Sequence, residues 1–197
     1  MTNRIPILDK KAPPWRVAQW FNTKQPITLD SLKGSVVVLH AFQMLCPGCV
    51  AHGLPQAQRI AEEFAGVHVI GLHTVFEHHQ AMTATSLAAF LHEYRIHFPV
   101  GIDEPSLDGP TPQTMKAYGM RGTPSLILIG RNGSIKEHFF GRPSDLLVGA
   151  AIAGLLADST SGNDVELEVA NATITTEPGC DDNACSLPSG PEKPKSR

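Results

Sequence analysis

The chain has 197 residues, of which 42% are hydrophobic, and a formal net charge of −3 at pH 7. That length suits one domain with a substantial core. The small net charge points to neither a nucleic acid nor a membrane surface as partner, and no apolar run reaches the length of a membrane span. Residues 1–11 are polar and lack the apolar core of a signal peptide. With Met1 as the true start, we expect a cytoplasmic protein whose cysteines act as reactive thiols.

The first predicted element is an irregular lead-in at residues 12–35, which could contain a short hairpin. An apolar, β-branched run at residues 36–42 then predicts a buried strand. This strand leads into Cys46-Pro47-Gly48-Cys49, and apolar residues then recur at spacings of three and four as far as Phe64. The change of period predicts a helix that starts near Cys49. Pro47 suits its first turn, because the missing N–H would have no partner there.

Two thiols at the N-terminus of a helix predict redox chemistry. The N–H groups of the first turn carry partial positive charge and favour a thiolate over a thiol. We therefore predict Cys46, the outer cysteine, as the nucleophile and Cys49, one turn further in, as the resolving thiol. The alternatives are half of a zinc site, which usually needs a second Cys or His pair, and an inert pair.

The rest of the body alternates between strand and helix patterns. The predicted elements, in chain order, are a strand at 67–72, a helix containing Leu87 to Tyr94, a short strand at 98–103, a short helix around Met115, a hairpin of strands 125–129 and 135–140 turning at Asn132-Gly133, and a final helix capped by Ser144. Such an order predicts an α/β sandwich around a mixed sheet.

The composition changes at Asp158, which divides the chain into a body, residues 1–157, and a tail, residues 158–197. The tail holds eight acidic and three basic residues, a net charge of about −5, which leaves about +2 for the body. We expect most of the tail to be flexible, because it has too few apolar residues to order itself. Cys180 and Cys185 lie five positions apart in the tail. They could form a second redox pair that exchanges with Cys46 and Cys49, or be an incidental pair.

Two segments of the body resemble the thioredoxin fold. The first is the strand, the Cys46-Pro47-Gly48-Cys49 turn and the helix that contains Pro55; the second, Tyr118 to Ile129 with Thr123-Pro124, resembles the segment that carries the cis-proline of that fold. The extra strand–helix unit between Val67 and Asp103 is similar to that of the TlpA-like and AhpC/TSA-type redoxins. The resemblance implies a thioredoxin-like three-layer α/β/α sandwich with a mixed central sheet, an extra strand–helix insertion and thiol–disulfide oxidoreductase activity.

The resemblance also implies a substrate site and partners. Pro124 would be cis and face the thiols, and the backbone of Thr123 would pair with an extended substrate. Pro47 and Gly48, between the cysteines, complete the predicted substrate-binding residues. The implied partners are a disulfide-bearing protein substrate and an upstream thiol reductant. The Cys46–Cys49 disulfide itself is the expected redox group, without a separate cofactor.

Two positions depart from the thioredoxin pattern. Leu45 stands directly before the first cysteine, where thioredoxins usually carry Trp. His40 stands six residues before that cysteine, where thioredoxins carry a buried Asp. We expect His40 to lie beneath the site, where its imidazole could relay a proton to or from Cys49. The alternative is a core histidine held by a backbone hydrogen bond.

Three other functions remain open. Peroxiredoxins place Thr three residues before the reactive Cys and Pro four residues before that Thr, whereas this chain has Gln43 and Leu39, so a peroxidase is a weaker alternative. A non-enzymatic module that only senses redox state is another. A cluster of His73, His78 and His79 with Glu77 raises the question of a metal. Because adjacent side chains diverge, we expect solvated histidines or a substrate-contacting rim there, and no metal.

Overall fold

The structure, a computed structural model, describes residue 5 and residues 10–158 of the chain. The predicted tail beyond Asp158, with Cys180 and Cys185, lies outside the described residues. The division of the chain at residues 157 and 158 therefore stays a prediction.

One six-stranded mixed sheet forms the centre of the described body. Its strands are β1 (Val17–Phe21), β2 (Val36–Phe42), β3 (Val67–His73), β4 (Val100–Asp103), β5 (Ser125–Ile129) and β6 (Ile135–Phe140). They lie in the order β1-β4-β3-β2-β5-β6. The neighbours β2, β3 and β4 run parallel, while β1, β5 and β6 pair antiparallel with their neighbours. The strand patterns predicted from β2 onward are therefore present.

Helices cover both faces of this sheet. They are α1 (Leu54–Glu63), α2 (Ala84–Glu93), α3 (Gln113–Ala117) and α4 (Asp145–Ala157). Apolar residues of α1, α2 and α4 form one core cluster with the sheet, and those of α3 and the lead-in segment form the other. The predicted cap of α4 is confirmed, since Ser144 Oγ accepts a hydrogen bond from the Leu147 N–H at 3.3 Å. The result is a three-layer sandwich.

The lead-in segment differs from the prediction. Residues Val17–Phe21 do not fold back into a local hairpin but form β1, which pairs antiparallel with β4 at the edge of the sheet. This pairing joins residues some 80 positions apart, and β1 has a mixed pattern of half-buried and exposed side chains. A local sequence pattern cannot reveal such a partner.

Strand β2 is the strand that positions the site. All seven of its residues are buried, because helices cover it on both faces. Successive side chains alternate between the faces, so Val38 and Phe42 enter the core of α1 and α4, while Val37 and Leu39 enter the other core. His40 has the same parity as Val38 and Phe42 and so points beneath the start of the helix after Cys46.

The start of that helix is not regular. Helical backbone begins at Pro47 and passes through a π-helical turn at Cys49–Gly53 before α1. The Leu54 N–H donates to Cys49 O, five residues back. Pro55 supplies the reason, because it has no N–H to donate to the residue four positions before it and its ring would crowd that carbonyl. Within the described residues, no helix is long and apolar enough to cross a membrane.

Candidate active site

Both cysteines lie at the junction between β2 and the helical segment. A turn leads from β2 into Cys46, whose N–H donates to Gln43 O at 3.1 Å. The Cys46 side chain is half-buried, whereas Cys49 is fully buried. Both are free thiols. Of the two sulfurs, that of Cys46 is therefore the one a large partner can reach.

Backbone groups surround the Cys46 sulfur. Cys46 Sγ accepts a hydrogen bond from the Cys49 N–H at 3.3 Å, and its thiol donates to Thr123 O at 3.5 Å. The Thr123–Pro124 peptide bond is cis. The structure therefore brings three of the predicted site residues, Cys46, Cys49 and Thr123, together at one sulfur, and cis-Pro124 follows directly in the chain. An N–H directed at this sulfur favours negative charge on it.

Cys49 is held as a thiol. Burial raises its pKa to about 12, and the hydrogen bond with Cys46 adds to the increase. The Cys49 thiol therefore cannot act as a nucleophile until a base takes its proton or its surroundings change.

Close packing joins His40, Gly53 and Pro124 beneath the thiols. A Cβ on Gly53 would lie 2.6 Å from His40 Cε1, 2.9 Å from His40 Nε2 and 3.1 Å from Pro124 Cβ. A Cβ on Gly48 would lie 3.5 Å from Pro124 Cδ, an ordinary contact distance. The predicted position of His40 beneath the site is therefore present in the structure. A side chain at position 53 would force the imidazole to shift, because the ring occupies the space that the side chain would take.

His40 has an unusual polar environment. Its side chain is 1% exposed, and neither ring nitrogen has a hydrogen-bond partner among the described residues. Burial lowers its pKa to about 4, so the imidazole is neutral near pH 7. The backbone hydrogen bond of the alternative core-histidine interpretation is not present. A buried group without a partner is costly, which makes this histidine a candidate for a functional role.

Replacing Gly53 with alanine should test this packing. We expect the new methyl group to overlap His40 and to lower the free energy of unfolding by about 1–3 kcal/mol. A matched control is Gly154→Ala in α4, where no atom lies within 4 Å of the added Cβ. That change should be neutral or raise the free energy of unfolding by up to about 1 kcal/mol. Denaturant unfolding of both variants measures the difference, and equal values would contradict the packing.

The rim of the site is partly apolar. Leu45, next to the reactive cysteine, is 53% exposed, and Pro47 is also exposed. Thr123 and Gly48 are half-buried. An exposed leucine of this kind gives a partner protein an apolar contact beside the sulfur.

The histidines at the end of β3 and in the loop after it, His73, His78 and His79, do not form a common site. His73 is fully buried at the end of β3, whereas His78 and His79 are exposed. Among the described residues, no three His, Cys, Asp or Glu side chains lie close enough together to hold a metal ion. His73 instead accepts a hydrogen bond from the Met44 N–H at 3.4 Å. Local sequence patterns do not reveal this contact or the buried amide of Gln43 near it, because both depend on the pairing of β2 with β3.

This combination of fold and site defines a class of protein. A mixed sheet, a Cys-x-x-Cys turn at a helix start and a cis-proline beside the outer sulfur are the features of thioredoxin-like thiol–disulfide oxidoreductases. The predicted α/β fold is thereby confirmed.

Comparisons with known proteins agree with this class. The model of the AhpC/TSA family matches residues 8–138, and the chain belongs to that family. A crystal structure of a thioredoxin-like superfamily protein, SPOA0173, is 59% identical over 75% of this chain and 96% of its own, with a TM-score of 0.73. A thiol-disulfide isomerase from Corynebacterium glutamicum is 45% identical over 74% of this chain and 97% of its own, with a TM-score of 0.71.

More distant structures share the fold alone. One is a secreted disulfide oxidoreductase from Mycobacterium tuberculosis, 18% identical over 73% of this chain and 96% of its own, with a TM-score of 0.55. No curated protein sequence matches the chain significantly.

Proposed function

We propose that the protein exchanges its Cys46–Cys49 dithiol with disulfides of partner proteins. The observation that carries the proposal is the accessible Cys46 sulfur, 3.3 Å from the Cys49 N–H and 3.5 Å from the carbonyl next to cis-Pro124. In the first step the Cys46 thiolate attacks one sulfur of the substrate disulfide. A mixed disulfide forms, the substrate S–S bond breaks, and one substrate thiolate leaves.

In the second step Cys49 releases the substrate. The Cys49 sulfur attacks Cys46 Sγ, an intramolecular disulfide forms, and the second substrate thiolate leaves with the electron pair of the mixed disulfide. Once Cys46 is in the mixed disulfide, its thiol hydrogen bond and charge no longer raise the pKa of Cys49. Formation of the mixed disulfide thus removes two of the interactions that raise the pKa of Cys49. A partner thiol must later reduce the Cys46–Cys49 disulfide.

His40 is the proposed proton acceptor for Cys49. Gly53, against which the imidazole packs, is the fourth residue after Cys49 and so lies on nearly the same side of the helical segment. The neutral imidazole has two unpartnered nitrogens and can accept a proton as the Cys46–Cys49 bond forms. Among the described residues, no other acid–base group hydrogen-bonds to His40, so the relay would run through this ring.

A slower second step is the expected result of His40→Ala. Loss of a general base typically costs about a hundredfold or more, and the loss should fall on resolution and spare mixed-disulfide formation. Reaction with dithiobis-nitrobenzoate separates the steps, since the first thionitrobenzoate released reports Cys46 and the second reports Cys49. His138→Ala, which removes another buried imidazole on β6, controls for the lost packing. A change in the second step below about threefold, in a folded variant, would leave His40 as a core histidine.

The substrate-binding proposal uses Thr123, Pro124, Pro47 and Gly48. A Cβ added to Gly48 would lie 3.5 Å from Pro124 Cδ, so Gly48 faces Pro124, and the exposed Pro47 leaves the turn between the cysteines open to a partner. An extended substrate segment would run along the backbone at Thr123, next to the exposed Leu45. Disulfide-bearing proteins are the proposed substrates, and a thiol reductant is the proposed upstream partner. No separate cofactor is proposed, and the cytoplasmic location stays a prediction.

Peroxidase activity is not favoured. Gln43 occupies the position of the peroxiredoxin Thr, and its side-chain amide bonds to the loop after β3. Both ends of this amide are already hydrogen-bonded, so the side chain is not free to bind a peroxide at Cys46. A redox sensor without catalysis is likewise not favoured, because the relative at 45% identity is a thiol-disulfide isomerase. The tail pair Cys180 and Cys185 stays a proposed second redox pair.

One comparison of substrates tests the proposed function. We expect the reduced protein to reduce insulin and glutathione disulfide with turnover when a thiol reductant is supplied. Hydrogen peroxide should be consumed far more slowly under the same conditions. Rapid peroxide turnover without insulin reduction would favour the peroxidase, and the absence of both would favour the redox sensor.

A further inference from the structure

The turn that carries Cys46 is tied to the end of the neighbouring strand by a buried side-chain amide. Gln43 is 1% exposed, although it is polar and stands in a turn. Its Oε1 accepts a hydrogen bond from the Phe76 N–H at 3.2 Å, and its Nε2 donates to Glu77 Oε1 at 3.3 Å. Both ends of the amide are therefore occupied by the loop after β3. A buried amide with both partners fixes its own backbone closely.

A second side chain from β3 holds the next residue of the turn. His73 is fully buried, and its Nε2 accepts a hydrogen bond from the Met44 N–H at 3.4 Å. The ring must be neutral with its proton on Nδ1 to accept this bond. Burial lowers the pKa of His73 to about 4, so the acceptor is available near pH 7. Phe42 packs against the same ring, with the centroids 5.3 Å apart.

Together these contacts hold two consecutive residues of the turn, Gln43 and Met44, against the end of β3 and the loop after it. The backbone adds a third connection, because the Thr74 N–H donates to Phe42 O at 3.0 Å. The turn then continues to Cys46, whose N–H donates to Gln43 O. The position of the Cys46 sulfur relative to the Cys49 N–H therefore depends on where the turn is held. Hydrogen bonds weaken steeply when distance and angle depart from their preferred values.

We propose that Gln43 and His73 are positioning residues, which hold the turn so that the Cys46 sulfur stays within hydrogen-bond distance of the Cys49 N–H. Neither side chain contacts the reacting sulfurs, and both act through the backbone of the turn. The inference rests on the proposed function, since it concerns the reactivity of Cys46 as the attacking thiol.

The test measures how the rate of alkylation of Cys46 by iodoacetamide depends on pH, followed by peptide mass analysis. Gln43→Met keeps the length of the side chain and removes both of its hydrogen bonds. We expect the rate at pH 7 to fall by about fivefold, the typical effect of one hydrogen bond, and the pH–rate curve to move to higher pH. Gln58→Met is the matched control, because Gln58 Nε2 also donates two bonds, to Tyr94 O and Arg95 O, away from the cysteines.

A pair of substitutions at His73 gives an independent comparison. His73→Leu removes the acceptor for the Met44 N–H, whereas His73→Gln can place an amide oxygen near the position of Nε2. We expect His73→Gln to retain more of the alkylation rate than His73→Leu. Thermal unfolding identifies the folded variants. If Gln43→Met does not fold, the comparison of His73→Gln with His73→Leu tests the positioning role by itself.

The outcomes separate this inference from the proposed function. If the unaltered protein reduces insulin and the folded Gln43 and His73 variants match its pH–rate curve, the positioning role is wrong and the proposed function stands. If the unaltered protein reduces no disulfide, the proposed function fails, and a shifted pH–rate curve still supports the positioning of Cys46. A shift of the same size in Gln58→Met would show a general loss of packing and would overturn the inference.

Discussion

Replacing Cys46 with serine should abolish disulfide reduction, and replacing Cys49 with serine should trap the protein in mixed disulfides with its substrates. Cys46 carries the accessible sulfur, so without it no bond to the substrate forms. Without Cys49, the first step still occurs, but nothing inside the protein resolves its product. Insulin reduction measures the first effect, and non-reducing gel electrophoresis with mass analysis measures the second.

Alkylation of the unaltered protein provides the matching control for these variants. Near neutral pH we expect Cys46 to react much faster than Cys49, because Cys49 is fully buried and its pKa is raised to about 12. Equal alkylation rates of the two thiols, together with an active Cys46→Ser variant, would contradict the assignment of roles.

Acid should destabilise the protein strongly between about pH 6.5 and pH 4. Burial lowers the pKa of His40, His73 and His138 from 6.5 to about 4, with a nearby positive charge of Arg121 contributing at His138. Above pH 6.5 these imidazoles are neutral in both states. As the pH falls, the unfolded chain binds protons that the folded protein does not, so the free energy of unfolding decreases until the folded imidazoles also protonate.

The expected size of this effect is large. A decrease in pKa from 6.5 to about 4 corresponds to about 3 kcal/mol for each imidazole at low pH. Summed over the three imidazoles, this loss approaches the whole free energy of unfolding of a typical domain. Buried Asp103 acts in the opposite direction, because its raised pKa makes the folded state bind a proton first. Denaturant unfolding from pH 7.5 to pH 4.5 measures the sum.

A single variant checks that the buried histidines cause this pH dependence. His138→Gln removes one of the three groups away from the cysteines, so its free energy of unfolding should fall less steeply with acid. A free energy of unfolding that stays constant from pH 6.5 to pH 4.5 would be incompatible with buried neutral imidazoles.

Local chemistry explains why much of the fold was predictable from the sequence. The β-branched run of β2 needs burial on both faces, and Ser144 supplies a cap for α4. Asn132-Gly133 predicts a hairpin, and Gly133 adopts a φ of 78° while Asn132 Oδ1 accepts the Ser134 N–H. Each of these signals involves residues within a few positions of one another.

Contacts between distant segments explain what the sequence left out. The pairing of β1 with β4 and the bonds of Gln43 to the loop after β3 join residues that are far apart in the chain. The π-helical turn before Pro55 was also missed, since the apolar spacing of the helix is nearly the same with or without it. For the site, the sequence predicted that His40 lies beneath the thiols, but its contact with Gly53 needed the structure.

A glutathione-buffered redox titration of the unaltered protein tests the central claim most directly. At each potential the free thiols are alkylated, and peptide mass analysis reports Cys46 and Cys49 separately. We predict a single two-electron transition in which both thiols are lost together as the Cys46–Cys49 disulfide forms. Thiols that persist at oxidising potentials, or that are lost independently of one another, would contradict a dithiol–disulfide exchange mechanism.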